Sequence, residues 1–148
     1  MSVHSRHGGN HFPPLPGEPA EVCARLQGEL VARPNAVILY VCGEVDAYTL
    51  PRWRRMLDAA FLAAAETGHL VVDIGDAGFL GCRAVLDLAA RAQQAAAEGI
   101  GVDLVNPVPS VVDRIIAVAG LSAWLPVHTY LVDALVAHKR GPEHAAAG

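Results

Sequence analysis

His69 to Gly99 reads HLVVDIGDAGFLGCRAVLDLAARAQQAAAEG, and its hydrophobic period changes once along the way. His69 to Ile74 is a short apolar run with the length and β-branched content of a strand. Gly75 to Cys82 is glycine-rich and reads as a loop. From Cys82 to Glu98 the apolar positions Val85, Leu86, Leu88/Ala89 and Ala92 fall at helical spacing, and Gly99 ends the pattern. This is a strand-helix unit, which requires a crossover and therefore a parallel neighbour.

The same alternation continues on both sides. Upstream, Leu50, Trp53, Met56/Leu57, Ala60/Phe61 and Ala64 form a helical stripe with Arg52, Arg54, Arg55 and Asp58 mostly off it. Thr49 is placed to cap that helix, Pro51 suits its first turn, and Gly68 closes it. Downstream, Ile100 to Val105 is a strand and Asn106-Pro107 breaks it. Val108 to Ala119 is a helix closed by Gly120, Trp124 to His128 an edge strand, and Tyr130 to His138 a last helix. Exposed apolar side chains near that end, Trp124 and Tyr130 among them, read equally as core or as a dimer contact.

Ala36 to Cys42 (AVILYVC) is apolar throughout, as in a strand covered on both faces. Before it, Glu21 to Val31 alternates apolar and polar residues like a half-buried strand, and Ala32-Arg33-Pro34-Asn35 supplies a turn. With the turn centred on Arg33-Pro34, paired numbers sum to about 67, which sets Cys42 opposite Arg25 with Cys23 as its diagonal neighbour. The order is ββαβαβα(β)α: an α/β fold with a mostly parallel central sheet that opens with an antiparallel β-hairpin. Residues 21–139 form the domain. Residues 1–20, rich in Gly, Pro and His, read as a disordered N-terminal tail, and 140–148 as a flexible C-terminal tail.

The 148 residues, 53% hydrophobic and 18% charged, suit one domain large enough to bury a core without disulfide or metal. Eleven Lys and Arg against fifteen Asp and Glu, a formal charge of -4 with the cations scattered, argue against a direct nucleic-acid partner. Three cysteines do not make a secreted disulfide framework, and the first thirty residues lack a basic-then-apolar leader, so a cytoplasmic location is expected. The longest nearly uncharged run, Ala59 to Ala65, falls far short of the ~20 residues that span a bilayer, so no membrane insertion is expected.

In such sheets function gathers at the carboxyl end of the parallel strands. Three turns are expected there: Gly43-Glu44-Val45-Asp46, Gly75 to Cys82, and Asn106-Pro107. Gly75, Gly78 and Gly81 do not make a phosphate-binding fingerprint, and there is no HExxH, CxxC or GxSxG motif. Glu44 and Asp46 have no accompanying nucleophile and read as turn and helix-dipole residues, and Ser110 as a first-turn or cap residue. No enzymatic activity and no cofactor are expected. His4, His7 and His11 have no fixed geometry in a tail, and no metal site is expected. Cys82, at a helix start where a thiolate is stabilised, is either a reactive or partner-facing thiol or a small buried hydrophobe. A redox pair drawn from Cys23, Cys42 and Cys82 is a further expectation; the diagonal pair is near the limit of disulfide reach.

Three segments resemble the STAS domain, in particular the bacterial anti-sigma factor antagonists. They are Gly43-Glu44-Val45-Asp46 with Tyr48-Thr49-Leu50; Leu70 to Leu86; and Leu104-Val105-Asn106-Pro107 with Ser110 to Ile116 and Ala119-Gly120-Leu121. The resemblance spans about Glu21 to His138. It implies binding to an anti-sigma factor of the ATP-binding kinase fold, which frees a sigma factor. It also implies a switch, since the family carries a phosphorylatable serine in an Asp-Ser-Ser-Gly loop at the start of the second helix. Here Gly81 replaces the aspartate, Cys82 the phosphoacceptor serine, Arg83 the second serine and Ala84 the glycine. Control by serine phosphorylation is therefore expected to be absent, with oxidation of Cys82 as its replacement. The implied partner-binding residues are Glu44, Asp46, Gly81, Cys82, Arg83 and Asn106. A divergent STAS scaffold that binds itself or other STAS proteins, and a small-ligand sensing module, are the alternatives.

Overall fold

A computed structural model describes residues 6–137. The elements are β1 (Asn10–His11), α1 (Ala20–Arg25), β2 (Leu26–Arg33), β3 (Ala36–Val45), α2 (Leu50–Ala64), β4 (His69–Leu80), α3 (Cys82–Ala96), β5 (Gly101–Val105), α4 (Val111–Val118) and β6 (Val127–His128). Residues 131–137 form a last helix, α5. His4 and the segment 140–148 lie outside the described residues.

The six strands lie side by side in chain order, β1 to β3 antiparallel and β3 to β6 parallel. Crossovers that always step in the same direction, each right-handed, bring their helices to one face. Accordingly Val37, Leu39, Val41, Leu70, Val72, Val102 and Leu104 point into one large core shared with α2, α3 and α4. The intervening residues Ile38, Val71 and Val105 point the other way and are covered by Ala134 of α5. On that second face Asp103 ties three strands together, accepting from His69 Nε2 of β4 and His128 Nε2 of β6 at 2.8 Å each.

The expected helices are present, and Ser110 caps α4 with a reciprocal box: Val112 N–H donates to Ser110 Oγ and Ser110 N–H to Asp113 Oδ2. Five expectations need correction. First, 20–25 is a helix and only 26–33 a strand, because Val22 and Leu26, four apart, both bury toward α2. Residues such as Ala24 and Gly28 fit either period. Second, the hairpin turn is Pro34-Asn35, with Arg33 paired to Ala36, so Cys42 lies opposite Gln27 and Cys23 sits in α1 instead of beside it.

Third, residues 6–19, read as a tail, pack on the sheet. The buried Glu29 carboxylate accepts backbone N–H bonds from Arg6, His7 and Gly9 at 3.2, 3.1 and 2.6 Å, and β1 pairs with β2. Fourth, Arg52 is buried, since its guanidinium donates to Leu26 O, Phe12 O and Glu18. Fifth, Gly75 to Leu80 is not a loop; β4 continues through it alongside an equally extended β3. Two register shifts in β3 permit this, one at Gly43, where φ is +111° and a Cβ would run into the Arg25 carbonyl.

Candidate functional site

The extensions of β3 and β4 carry the site past the end of β5. Val45 pairs with Leu80, and Gly81 N–H donates to Val45 O at 3.0 Å, so the Glu44-Asp46 and Gly81-Arg83 segments are neighbours. Asp46 is the pivot of the first segment. Its Oδ1 accepts the N–H groups of Tyr48 and Thr49 at 2.9 and 3.0 Å, covering the free amides before α2. Thr49 sits at the N-cap position without capping; its hydroxyl donates to Glu44 O at 2.8 Å and accepts from Asp46 N–H. The Thr49 N–H bond, then the Arg25 guanidinium, hold the Asp46 carboxyl below its ordinary range.

Arg25, the last residue of α1, bridges Glu44 and Asp46, and its guanidinium carbon lies 5.6 Å from the Tyr48 ring centre. The acidic pair is therefore partly neutralised from within the chain. Composition and spacing did not point to Arg25, because its place on α1 and the turn it meets are settled by chain packing.

Gly81 holds the N-cap position of α3 in extended conformation and offers no side chain to cap it. Cys82 follows as the first helical residue and is exposed, which decides between the two readings in favour of an accessible thiol. Arg83 is exposed beside it. The turn is held from below, where the fully buried Trp53 of α2 donates its indole N–H to Ala84 O at 3.1 Å. Phe79, half of it exposed, stands within van der Waals reach of Gly81 and adds an apolar knob that exposure alone reveals.

Beside this surface a groove of about 240 Å³ runs between the β4 extension and the β5–α4 loop, lined by Gly78, Phe79, Leu80, Asn106, Val108 and Ser110 among others. Asn106 is at its floor and buried. Its amide donates to Ser110 Oγ at 3.1 Å and Asp113 Oδ2 at 2.8 Å, so this side chain orients α4. The structure thus gathers Glu44, Asp46, Gly81, Cys82 and Arg83 on one exposed surface and places Asn106 beneath its neighbour.

The three cysteines are not gathered. All are free: Cys82 and Cys42 are exposed, and Cys23 is half-buried with its thiol donating to Glu18 Oε1 at 3.1 Å. The expected diagonal of Cys23 and Cys42 is not formed. Among the described residues no three His, Cys, Asp or Glu side chains form a metal-binding group, and His7 instead stacks on Tyr40 at 3.6 Å. Trp124 and Tyr130 are exposed. No helix among the described residues is long and apolar enough to cross a membrane.

The family model described as the STAS domain matches residues 27–134. The anti-sigma-F factor antagonist RsfA of Mycobacterium tuberculosis is 34% identical over 112 residues, 76% of this chain and 87% of that protein. Among solved structures, an anti-sigma factor antagonist from Mycobacterium paratuberculosis superimposes with a TM-score of 0.62 at 27% identity, covering 76% of this chain and 92% of the other. The antagonist SpoIIAA in its unphosphorylated form gives a TM-score of 0.58 at 21% identity, over 77% and 96%, which is likeness of fold. With the family model, the relatives and the strand order in agreement, the chain belongs to the STAS domain family, among relatives named as anti-sigma factor antagonists.

Proposed function

We propose that this protein is itself an anti-sigma factor antagonist, a non-enzymatic cytoplasmic regulator that sequesters an anti-sigma factor of the ATP-binding kinase fold and so frees a sigma factor. The docking surface in this reading is the Glu44-Asp46 turn, Phe79 and the Gly81-Cys82-Arg83 start of α3. Relatives named as antagonists, together with this exposed surface on the shared frame, support the reading.

The observation that carries its distinctive part is the exposed thiol at the first position of α3. In the family that position bears the serine hydroxyl that accepts a phosphoryl group. A thiol is not a substrate for ordinary serine phosphorylation, and Arg83 adds a cation beside it. The antagonist is then permanently competent to bind, unless oxidation of Cys82 supplies the missing control.

The test is calorimetric titration of the purified chain against each kinase-fold anti-sigma factor of its source cell, with ADP and with ATP. Binding to one of them is expected to persist after prolonged incubation with ATP, with no phosphoryl adduct on the chain by mass spectrometry. Phe79→Ala and Arg83→Glu are expected to weaken it at least tenfold, which is about 1.4 kcal/mol. Repeating the titration after peroxide treatment, with Cys82→Ser alongside, reads redox control. Absence of binding to every such factor, or an adduct on the 79–84 loop, contradicts the proposal.

A further inference from the structure

The family match begins at residue 27, yet residues 6–19 before it are built into the molecule along the outer edge of β2. The arm is fastened at five points. Glu29 takes three of its backbone N–H groups. Gly9 lies so close to β2 that a Cβ there would overlap the Leu30 carbonyl and the Val31 side chain. The Phe12 ring packs over Gly28, where a side chain would strike both it and Met56. Arg52 and His7 complete the attachment, through Phe12 O at 2.8 Å and the Tyr40 ring.

The effect on the sheet edge is large. Bare, β2 would present eight consecutive residues, Leu26–Arg33, as an open template for another strand. With the arm in place the outermost strand is the two-residue β1, followed directly by Phe12-Pro13-Pro14. Prolines have no N–H to donate, so this edge cannot propagate pairing.

The strand beneath is suited to pairing with itself. In an antiparallel β2–β2 pair centred on Val31, Glu29 of one copy stands opposite Arg33 of the other, and the twofold axis repeats the contact. Leu30 then faces Ala32 of the second copy. Arg33 is already exposed, whereas Glu29 is occupied by the arm. A second copy would therefore compete with the arm for the same carboxylate, replacing its backbone N–H donors with a guanidinium.

We propose that the arm of residues 6–19 is a removable edge guard, and that its release exposes β2 as a self-association surface for a second copy of this chain, in the register that pairs Glu29 with Arg33. The experiment is size exclusion with light scattering over an increasing concentration series, with hydrogen exchange reporting on the amides of residues 9–12. The wild-type chain is expected to stay monomeric with these amides protected. Gly9→Ala is expected to expose them and to double the mass as concentration rises. Adding Arg33→Glu to Gly9→Ala should return the protein to monomer by setting like charges opposite each other, and the charge swap Glu29→Arg/Arg33→Glu should restore the dimer.

A wild-type chain that dimerises with its arm protected overturns the proposal. So does a Gly9→Ala protein whose arm is unprotected yet whose mass never rises, one whose arm stays protected, or one that dimerises regardless of Arg33→Glu. If circular dichroism shows Gly9→Ala unfolded, Phe12→Ala, which removes the ring that packs the arm over Gly28 and leaves Glu29 and Arg33 in place, carries the same test with the same outcomes.

Discussion

Replacing Trp53 by Phe tests whether the start of α3, where Cys82 and Arg83 are presented, is held in place from α2. Trp53 is fully buried and spends its only polar group on Ala84 O in the first turn of α3. Phe keeps most of the apolar contact and loses that hydrogen bond, a loss of about 1 kcal/mol. The missing part of the indole leaves roughly 40 Å³ unfilled, and at about 24 cal/mol per Å³ this adds about 1 kcal/mol. The sum, about 2 kcal/mol, moves the urea midpoint down by about 1 M for a slope of about 2 kcal/mol per molar. Trp53→Ala empties the site and costs about 3–5 kcal/mol for burial and cavity. The local consequence separates this argument from a general core defect: the Val85 amide, which donates to Gly81 O, should exchange faster in Trp53→Phe by more than the strand amide of Val72 does. A midpoint that moves by less than about a quarter of this shift, or Val85 and Val72 accelerated equally, refutes the reasoning.

Asn106→Ala removes both donations that aim α4, one of them to the Asp113 carboxylate; a loss of about 1–3 kcal/mol by urea unfolding is expected. Asp103→Asn turns one acceptor oxygen into an NH2 donor, so one of the two imidazoles must take the other tautomer and accept in order to keep its bond, and a loss of about 1 kcal/mol should appear in the same assay. Asp73→Asn has the opposite sign. Burial raises the Asp73 carboxyl above its ordinary value, so ionisation opposes folding; stability is lost as pH rises through the range between the unfolded and folded values, and the loss is complete at neutral pH. The amide keeps an oxygen for Gly75 N–H, so Asp73→Asn should be more stable than wild type at neutral pH and lose that advantage below the ordinary carboxylate value of about 3.9.

Apolar periodicity carried α2 and α3 because each buries a stripe against a sheet already covered on that face, and residues such as Trp53, Leu57 and Leu88 have one way to be buried. It failed at Glu21 to Val31, where small residues at Ala24 and Gly28 satisfy a period of two and Val22 with Leu26 a period of four. Tertiary contact with α2 decides that case. It failed again at Gly75 to Leu80, because the strand there is made by pairing with β3, whose extension depends on the positive φ of Gly43. A neighbour's backbone leaves no mark in the composition of the strand it supports.

Charges were the least legible feature, for a related reason. Glu29 and Arg52 read as solvated because isolated charges are costly to bury, and each is buried only where backbone groups far along the chain converge on it. The arm that supplies several of those groups reads as disorder by composition, since Gly, Pro and His bury little apolar surface of their own. Its order comes instead from many hydrogen bonds to a few buried charged side chains. Position in the fold matters for the site as well. The Glu44-Asp46 pair, legible as a turn, is presented to a partner with Arg25 already bound across it, so any cation that docks there must displace a contact that α1 brings to the turn at its last residue.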